Sequence, residues 1–325
     1  MLLRLKALLR NNSFYVKIFQ RRINDIRYFI KNLIFTLKHF KINGRELTGN
    51  TIYFVIDPKQ THPGLADRLK VICCIYYIAK LNGFNFKLVF DTPFKLSDYL
   101  QCNKVDWKCQ IDEIQFSYKT SKMLAYNGMG KIPKLSKKVN QYIIYYYIGR
   151  DILRANNIPN SDELLRDCYN ELFTPSYKLE QAIASCNLEK RSYISVHLRF
   201  VNALEKFEEG VYNSLSPEDQ LKLISKCLQC LSTIKDTNSK ELLVFSDSNK
   251  FLSIAKEYGY KVLNGNIEHI SFYSDKDSVL KTFLDFYMIG RSAKAYRIIS
   301  KEMYGTTFSL YASIFGKCPL ITLNI

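Results

Sequence analysis

From Ser192 onward the chain alternates short apolar, β-branched runs with longer amphipathic ones, and this alternation narrows the fold more than any other feature of the sequence. Strands are predicted at Y-I-S-V-H-L from Tyr193, E-L-L-V-F-S from Glu241, K-V-L-N from Lys261, A-Y-R-I-I-S from Ala295 and P-L-I-T-L-N-I from Pro319. Helices fall between them: one from Ser216 with Pro217 at its first position and acids in its first turn, one over Lys250 to Tyr258, one from Asp277 to Gly290 and one opening on Gly305. Strict alternation of this kind makes a parallel sheet covered by helices on both faces. The front repeats the theme, with a strand at Thr51 to Ile56, a loop from Lys59 to Gly64, a helix ending near Asn82 and Gly83, and the short strand F-K-L-V-F. Between Thr92 and Lys190 the pattern says less: Tyr142 to Ile148 reads as a buried strand or helix, Lys131 to Lys138 as a basic loop, and Ser161 to Phe173 as a helix with a Ser cap.

A chain of 325 residues can bury a large core and more naturally makes two domains than one, here 46–185 and 186–325, preceded by a basic segment at 1–45. The formal charge is +17, and residues 1–42, with ten Lys or Arg against the single acid Asp25, hold +9 of it. That segment has no apolar run near the ~20 residues that span a bilayer, and no apolar block behind its charges of the kind a secretory signal needs. Phe19, Ile23, Ile26, Ile30, Leu33, Leu37 and Phe40 recur at four- and three-residue steps as one apolar stripe between basic residues. Such a helix suits an anionic membrane surface, each basic residue adding about 1 kcal/mol, and equally suits packing on the protein's own core or a second subunit through the same stripe. The segment carries no nucleic-acid-binding motif, and the 23 Tyr and 21 Phe are spread too evenly for a base-stacking platform.

The nine cysteines form no paired clusters of the sort a zinc site requires; the one C-x-x-C, Cys227 and Cys230, lies in a helical run where Cys acts as a small hydrophobe. Free thiols in this number fit a reducing cytoplasm. D-K-D at Asp275 to Asp277 has the form of a metal-binding pair but precedes a helix, where it reads as a cap.

In an open α/β sheet ligands sit beyond the carboxyl ends of the strands. Three strand ends of the second half carry polar groups that would share such an edge: His197 and Arg199, Ser246 and Asp247, and the helix start Gly305, Thr306, Thr307, Phe308 and Ser309. Arg is a fixed charged fork suited to phosphate oxygens, His can hold a sugar hydroxyl or base edge, and a helix start offers hydroxyls and unpaired amides. The front loop adds His62, Gly64 and Asp67 at another helix start. Each has a plain alternative: an Arg at a strand end is often a solvated charge, and an acid in a first helical turn is a routine cap. Together the groups describe a nucleotide-diphosphate site.

In order along the chain, H-P-G-L-A-D-R-L-K, H-L-R, F-S-D and G-T-T-F-S-L-Y-A resemble the motifs of the GDP-fucose-dependent fucosyltransferases, the bacterial alpha-1,2, nodulation-factor, core alpha-1,6 and protein O-fucosyltransferase groups. The resemblance spans 51–325. It implies a GT-B fold, two Rossmann-like doubly wound domains facing a cleft with the donor mainly on the C-terminal one, and metal-independent, inverting transfer of fucose from GDP-fucose to a hydroxyl of a glycan, lipid-linked glycan or glycoprotein. By the same resemblance Arg199 holds the β-phosphate, His197 and Asp247 contact the nucleoside, and Thr306, Thr307 and Phe308 meet the phosphates and guanine. Two positions depart from the pattern: Asn202 stands where H-x-R-x-x-D has its acid, and Gly64-Leu65-Ala66-Asp67 replaces G-x-G-N. Chemically, fixed donors at Arg199 and near Thr306 would stabilise the leaving diphosphate, and Asp67 is the candidate base for the acceptor hydroxyl. The resulting expectation is a cytoplasmic enzyme of polysaccharide biosynthesis, peripheral on the inner face of a bacterial cytoplasmic membrane. Another nucleotide sugar as donor, or an inactive membrane-apposed binding protein, are the alternatives.

Overall fold

The structure, a computed structural model, describes residues 26, 29–42, 49–56, 64–126, 130–205, 214–265, 267 and 275–325. The first helical stretch, α1, covers 29–39. A four-stranded parallel sheet follows, built from β1 (Thr51–Ile56), β2 (Asn85–Phe90), β4 (Ser121–Met123) and β5 (Gln141–Ile144) in the order β2-β1-β5-β4. Helix α2 (Leu65–Asn82) joins β1 to β2 and is apolar on nearly all sides, so it is buried on nearly all sides, with Val71 to Ile75 fully enclosed. It ends where expected: Gly83 takes φ 61 and returns its N–H to the carbonyls of the last turn.

The stretch that was least legible supplies β3 (Leu100–Cys102), α3 (Ile152–Ala155), α4 (Ser161–Leu172), β6 (Phe173–Pro175) and α5 (Tyr177–Ser185), with β3 and β6 paired antiparallel as a separate ribbon. Tyr142 to Ile144 resolves as strand rather than helix. Helix α4 is capped differently from the expectation. Asn160, at φ 52, is the N-cap residue and Ser161 is already helical, because Asn tolerates the left-handed conformation that a tight entry requires.

The second sheet is five-stranded and wholly parallel, from β7 (Tyr193–Leu198), β8 (Glu241–Ser246), β9 (Lys261–Val262), β10 (Lys294–Ile299) and β11 (Leu320–Asn324) in the order β11-β10-β7-β8-β9. The connecting helices are α6 (Pro217–Asp236), α7 (Asn249–Glu257), α8 (Lys276–Arg291) and α9 (Phe308–Gly316). The alternation read from the sequence therefore gives the parallel sheet it implies. Its first strand, β7, is central and buried along its whole length, and the winding reverses between β7 and β10. Asp275 caps α8 by accepting from the amides of Asp277 and Ser278, and Cys227 is a core residue of α6. Helix α9 begins three residues later than the expected Gly305, because the 304–307 segment is held as a turn.

The largest apolar core runs from α2 through α4 to α8 and α9; a second lies on the other face of the five-stranded sheet. A third covers the outer face of the first sheet, where Phe35 of α1 meets the Tyr145 ring at 4.0 Å and Phe40 meets Phe116 at 5.8 Å. The helix thus docks by Phe35, which the stripe read from the sequence leaves out, and by Phe40, the last member of that stripe. Of that stripe Ile26, Ile30, Leu33 and Leu37 are exposed, as are Phe29 and Ile34 beside them. A wide aromatic wedge at one edge anchors the helix and leaves its broad apolar face in water.

Helices α8 and α9 approach until their backbones touch at Gly290 and Gly316. Arg191, placed at φ 70, closes both helix ends: its guanidinium donates to the carbonyls of Gly290, Ser292, Gly316 and Lys317. A Cβ on Gly290 would sit 2.6 Å from the backbone carbonyl oxygen of Ala312, which cannot move aside without shifting α9. Gly290→Ala should therefore lose about 1–3 kcal/mol of stability in urea or thermal unfolding, as overpacked cores do. Gly305→Ala, with open space around the added carbon, should stay within about 0.5 kcal/mol.

Candidate active site

The winding reverses between β7 and β10, and in doubly wound sheets the crevice that takes a ligand lies beyond the carboxyl ends of the strands at such a reversal. His197 occupies the fifth position of β7, and strand register sets it beside Arg297 of β10. His197 is wholly enclosed. Its ring stacks on Phe308 at 5.4 Å, and its Nδ1 is buried without a hydrogen bond to any described residue. Burial first, and then the charges of Arg199 and Arg297, pull its pKa down to about 3, so the imidazole is neutral at any physiological pH.

Arg199 follows immediately, with its guanidinium over the Tyr304 ring at 5.0 Å and its Nε 3.7 Å from Asp247. Asp247, at the end of β8, accepts from the amides of Phe200 at 2.7 Å and Val201 at 2.9 Å. Val201 sits at φ 52, which a β-branched residue resists, and the two charge-assisted bonds hold the turn there. Burial pushes the Asp247 pKa up, opposed by those amides and by Arg199. Both carboxylate oxygens thus brace the loop that carries Arg199 and the buried Asn202. Ser246 is buried too and accepts from the amide of Ser248, so it shapes the start of α7.

The third group approaches along α9. Thr306 is buried, accepts from the Phe308 amide through its hydroxyl, and is held through its carbonyl by Nη1 of Arg297 at 2.8 Å. The Tyr304 amide donates to the Arg199 carbonyl at 3.1 Å, tying this turn to the end of β7. Ser309 is fully buried and its Oγ has no partner among the described residues. Gly305 faces open space.

From the first sheet, α2 presents Asp67 in its first turn beside Gly64. Asp67 does not cap the helix; it pairs with Lys70 and accepts from Thr307 Oγ1 at 3.2 Å. Residues 240 apart in sequence are thereby joined, and Asp67 lies at the turn that opens α9. The next residue, Arg68, is buried with its guanidinium 5.8 and 5.7 Å from the Phe90 and Phe94 rings, and burial lowers its pKa to about 10. His62 lies outside the described residues.

The structure brings His197, Arg199, Asp247, Thr306 to Ser309 and Asp67 together, and adds Arg297. That residue was missed because an Arg inside A-Y-R-I-I-S reads as a strand residue pointing outward; the signal lay in register, since only pairing with His197 places it at the crevice. Among the described residues no group of three His, Cys, Asp or Glu could hold a metal ion.

No protein-family model matches the chain, and no curated protein sequence matches it. Solved structures do share its fold. A mutant of Arabidopsis thaliana FUT1 in complex with GDP aligns over 91% of this chain and 74% of its own, with TM-score 0.54 and 13% identity. NodZ alpha-1,6-fucosyltransferase soaked with GDP-fucose aligns over 85% of this chain and 95% of its own, with TM-score 0.54 and 12% identity. The fucosyltransferase NodZ from Bradyrhizobium aligns over 82% and 92%, with TM-score 0.51 and 11% identity. The fold is the GT-B arrangement of these enzymes.

The neutral state of His197 gives a pH test. Between the folded pKa of about 3 and the ordinary value near 6.5, the unfolded chain binds a proton that the folded chain refuses. This contribution to stability is complete above pH 6.5 and declines as the pH falls toward 3. Nitrogen chemical shifts of the four histidines, recorded by NMR from pH 7 down to the acid limit of the fold, should show one imidazole that stays neutral at pH 5. His197→Gln should remove that signal and flatten the slope of stability against pH between 6.5 and 4.

Proposed function

We propose that this chain transfers fucose from GDP-fucose to a hydroxyl of a glycan, lipid-linked glycan or glycoprotein, with inversion and without a metal. The observation that carries the reading is the meeting of Arg199, Arg297, the unsatisfied His197 Nδ1 and the start of α9 at one crevice, in a fold shared with proteins that bind GDP and GDP-fucose. The second sheet with its helices, 186–325, is then the donor domain, and 46–185 the acceptor domain.

The chemistry follows from charge. As the bond from the anomeric carbon to the diphosphate breaks, negative charge grows on the leaving oxygen and positive character on the sugar ring. Arg199 and the amides that open α9 are fixed donors for that oxygen, and fixed donors lower a barrier because they need no reorganisation. The acceptor oxygen forms its bond to the opposite face of the same carbon and gives its proton to Asp67, which reaches the site from the facing sheet while Lys70 keeps its charge balanced. His197 and Ser309 supply the remaining polar contacts to the nucleotide, and Phe308 an aromatic face. Asp247 and Arg297 act at one remove, fixing the two turns.

The exposed face of α1 has a role in the same reading. Ile26, Phe29, Ile30, Leu33, Ile34 and Leu37 lie in water beside the cations Lys31 and Lys38, the composition of a helix that lies in an anionic lipid interface. No helix among the described residues is long and apolar enough to cross a membrane.

Incubation with labelled GDP-fucose and a panel of glycan acceptors should give transfer and, more slowly, hydrolysis, with GDP-mannose and UDP-sugars inert. Arg199→Ala should lose well over tenfold in turnover while still folding; full activity in that variant would sink the assignment. In co-sedimentation, the protein should pellet with vesicles containing anionic phosphatidylglycerol and stay in solution with neutral phosphatidylcholine. The triple change Ile30→Asp, Leu33→Asp and Leu37→Asp should abolish pelleting.

A further inference from the structure

A cavity of about 550 Å³ opens at the amino-terminal edge of the five-stranded sheet, the edge opposite Arg199. Lys190, Arg291 and Lys317 line it, each three residues ahead of the first residue of β7, β10 and β11, which are neighbouring strands. Arg166 of α4 adds a fourth cation. Among the described residues no Asp or Glu lines the cavity. Its apolar wall is aromatic: Phe286 and Phe315 contribute, and Tyr169 stacks on Phe315 at 4.3 Å while its hydroxyl meets that of Tyr287 at 2.8 Å.

Cations near helix C-termini ordinarily answer the helix dipole. Here Arg191 already takes the terminal carbonyls of α8 and α9. The Nε of Arg291 is buried with no hydrogen-bond partner among the described residues, and an unsatisfied N–H of this kind costs about 1–3 kcal/mol. Among the described residues Arg166 is the one of the four in an ion pair, with Glu163 at 3.2 Å and Asp167 at 3.9 Å. The arrangement wants an anionic oxygen for the guanidinium fork, and the aromatic wall with the amides of Asn103 and Asn170 suits a hydroxylated ring. The volume lies within the ~300–1,000 Å³ of small-molecule sites.

We propose that this cavity binds a phosphorylated sugar, its phosphate at Arg291, Lys190 and Lys317 and its ring against Phe286 and Phe315. The site is separate from the crevice at Arg199: the nine residues of α9 stand between them, about 14 Å at 1.5 Å per residue.

Calorimetric titration of the full chain with glucose 1-phosphate, with and without saturating GDP, tests this. Binding should occur once per chain, be indifferent to GDP, exceed the affinity for inorganic phosphate and for neutral methyl glucoside at least tenfold, and weaken at least tenfold in a Lys190→Gln, Lys317→Gln double variant. Both lysines are exposed, so that variant should melt at the temperature of the parent protein. Absence of binding, competition by GDP, equal affinity for inorganic phosphate, or an unchanged affinity in the double variant would each overturn the proposal. Because the readout is binding and needs no fucosyl transfer, its failure and the failure of the donor reading are separate results.

Discussion

The carboxylate of Asp247 holds the turn after β7 in a conformation that the turn's own residues resist. A β-branched residue in the left-handed region costs about 1–3 kcal/mol, and Val201 is such a residue. Hydrogen bonds to a charged acceptor contribute about 1.5–3 kcal/mol each, and Asp247 makes two to this turn, so the bonds outweigh the strain. Arg199 leaves the strand just before the turn, and its direction depends on the turn being kept. Burial raises the Asp247 pKa, while the two amides and Arg199 work to keep the group ionised. The guanidinium that faces the crevice therefore also stabilises the acid that aims it.

Around that turn the protein leaves polar atoms unmet. His197 Nδ1, Arg297 Nε and Ser309 Oγ are all buried and without partners among the described residues, though buried polar groups elsewhere in folded proteins are overwhelmingly paired. A core selected for stability alone would replace them with apolar groups. They lie together at the carboxyl ends of β7 and β10 and the start of α9, in register through the His197 and Arg297 pairing, so a polar ligand bound there would recover hydrogen bonds that the fold itself lacks.

Much of this was legible in the sequence because strand ends in a parallel sheet are fixed by periodicity. His197, Arg199 and Asp247 announce themselves as polar residues closing apolar runs, and Thr306 to Ser309 as hydroxyls opening a helix. What stayed hidden depends on tertiary registration. Arg297 lies mid-strand and gains its place only when β10 pairs with β7. Asp67 reads in the sequence both as the candidate base and as a routine cap, and what decides against the cap, its partners Lys70 and Thr307, is set by how α2 meets α9. The face by which α1 docks could not be chosen from the apolar spacing, because a helix with apolar residues over so wide an arc can offer either its aliphatic residues or an edge led by Phe35; the rings of Tyr145 and Phe116 decide it. Between Thr92 and Lys190 the elements are short and the β3-β6 ribbon joins residues some seventy apart, a pairing that no local pattern encodes.

Helix α9 is the element through which the parts of the molecule meet. Its first turn lies at the crevice, where Thr307 bonds Asp67 of the first sheet's helix; its middle donates from Tyr311 to Asp151 at 2.9 Å; its end packs on Gly290 and lines the second cavity. Backbone contact at Gly290 and Gly316 removes the slack that would let the helix slide along α8, so a displacement of α9 must carry α8 with it. A ligand at either end can influence the other only by binding more tightly to one placement of this pair than to another. The two ends differ in what they could report: the start of α9 is tied across to Asp67, whereas its end is tied by Arg191 to the strand β7 that carries His197 and leads to Arg199. The chain along α9 and the chain along β7 thus both run between the amino and carboxyl edges of the sheet, and both paths are buried and closely packed.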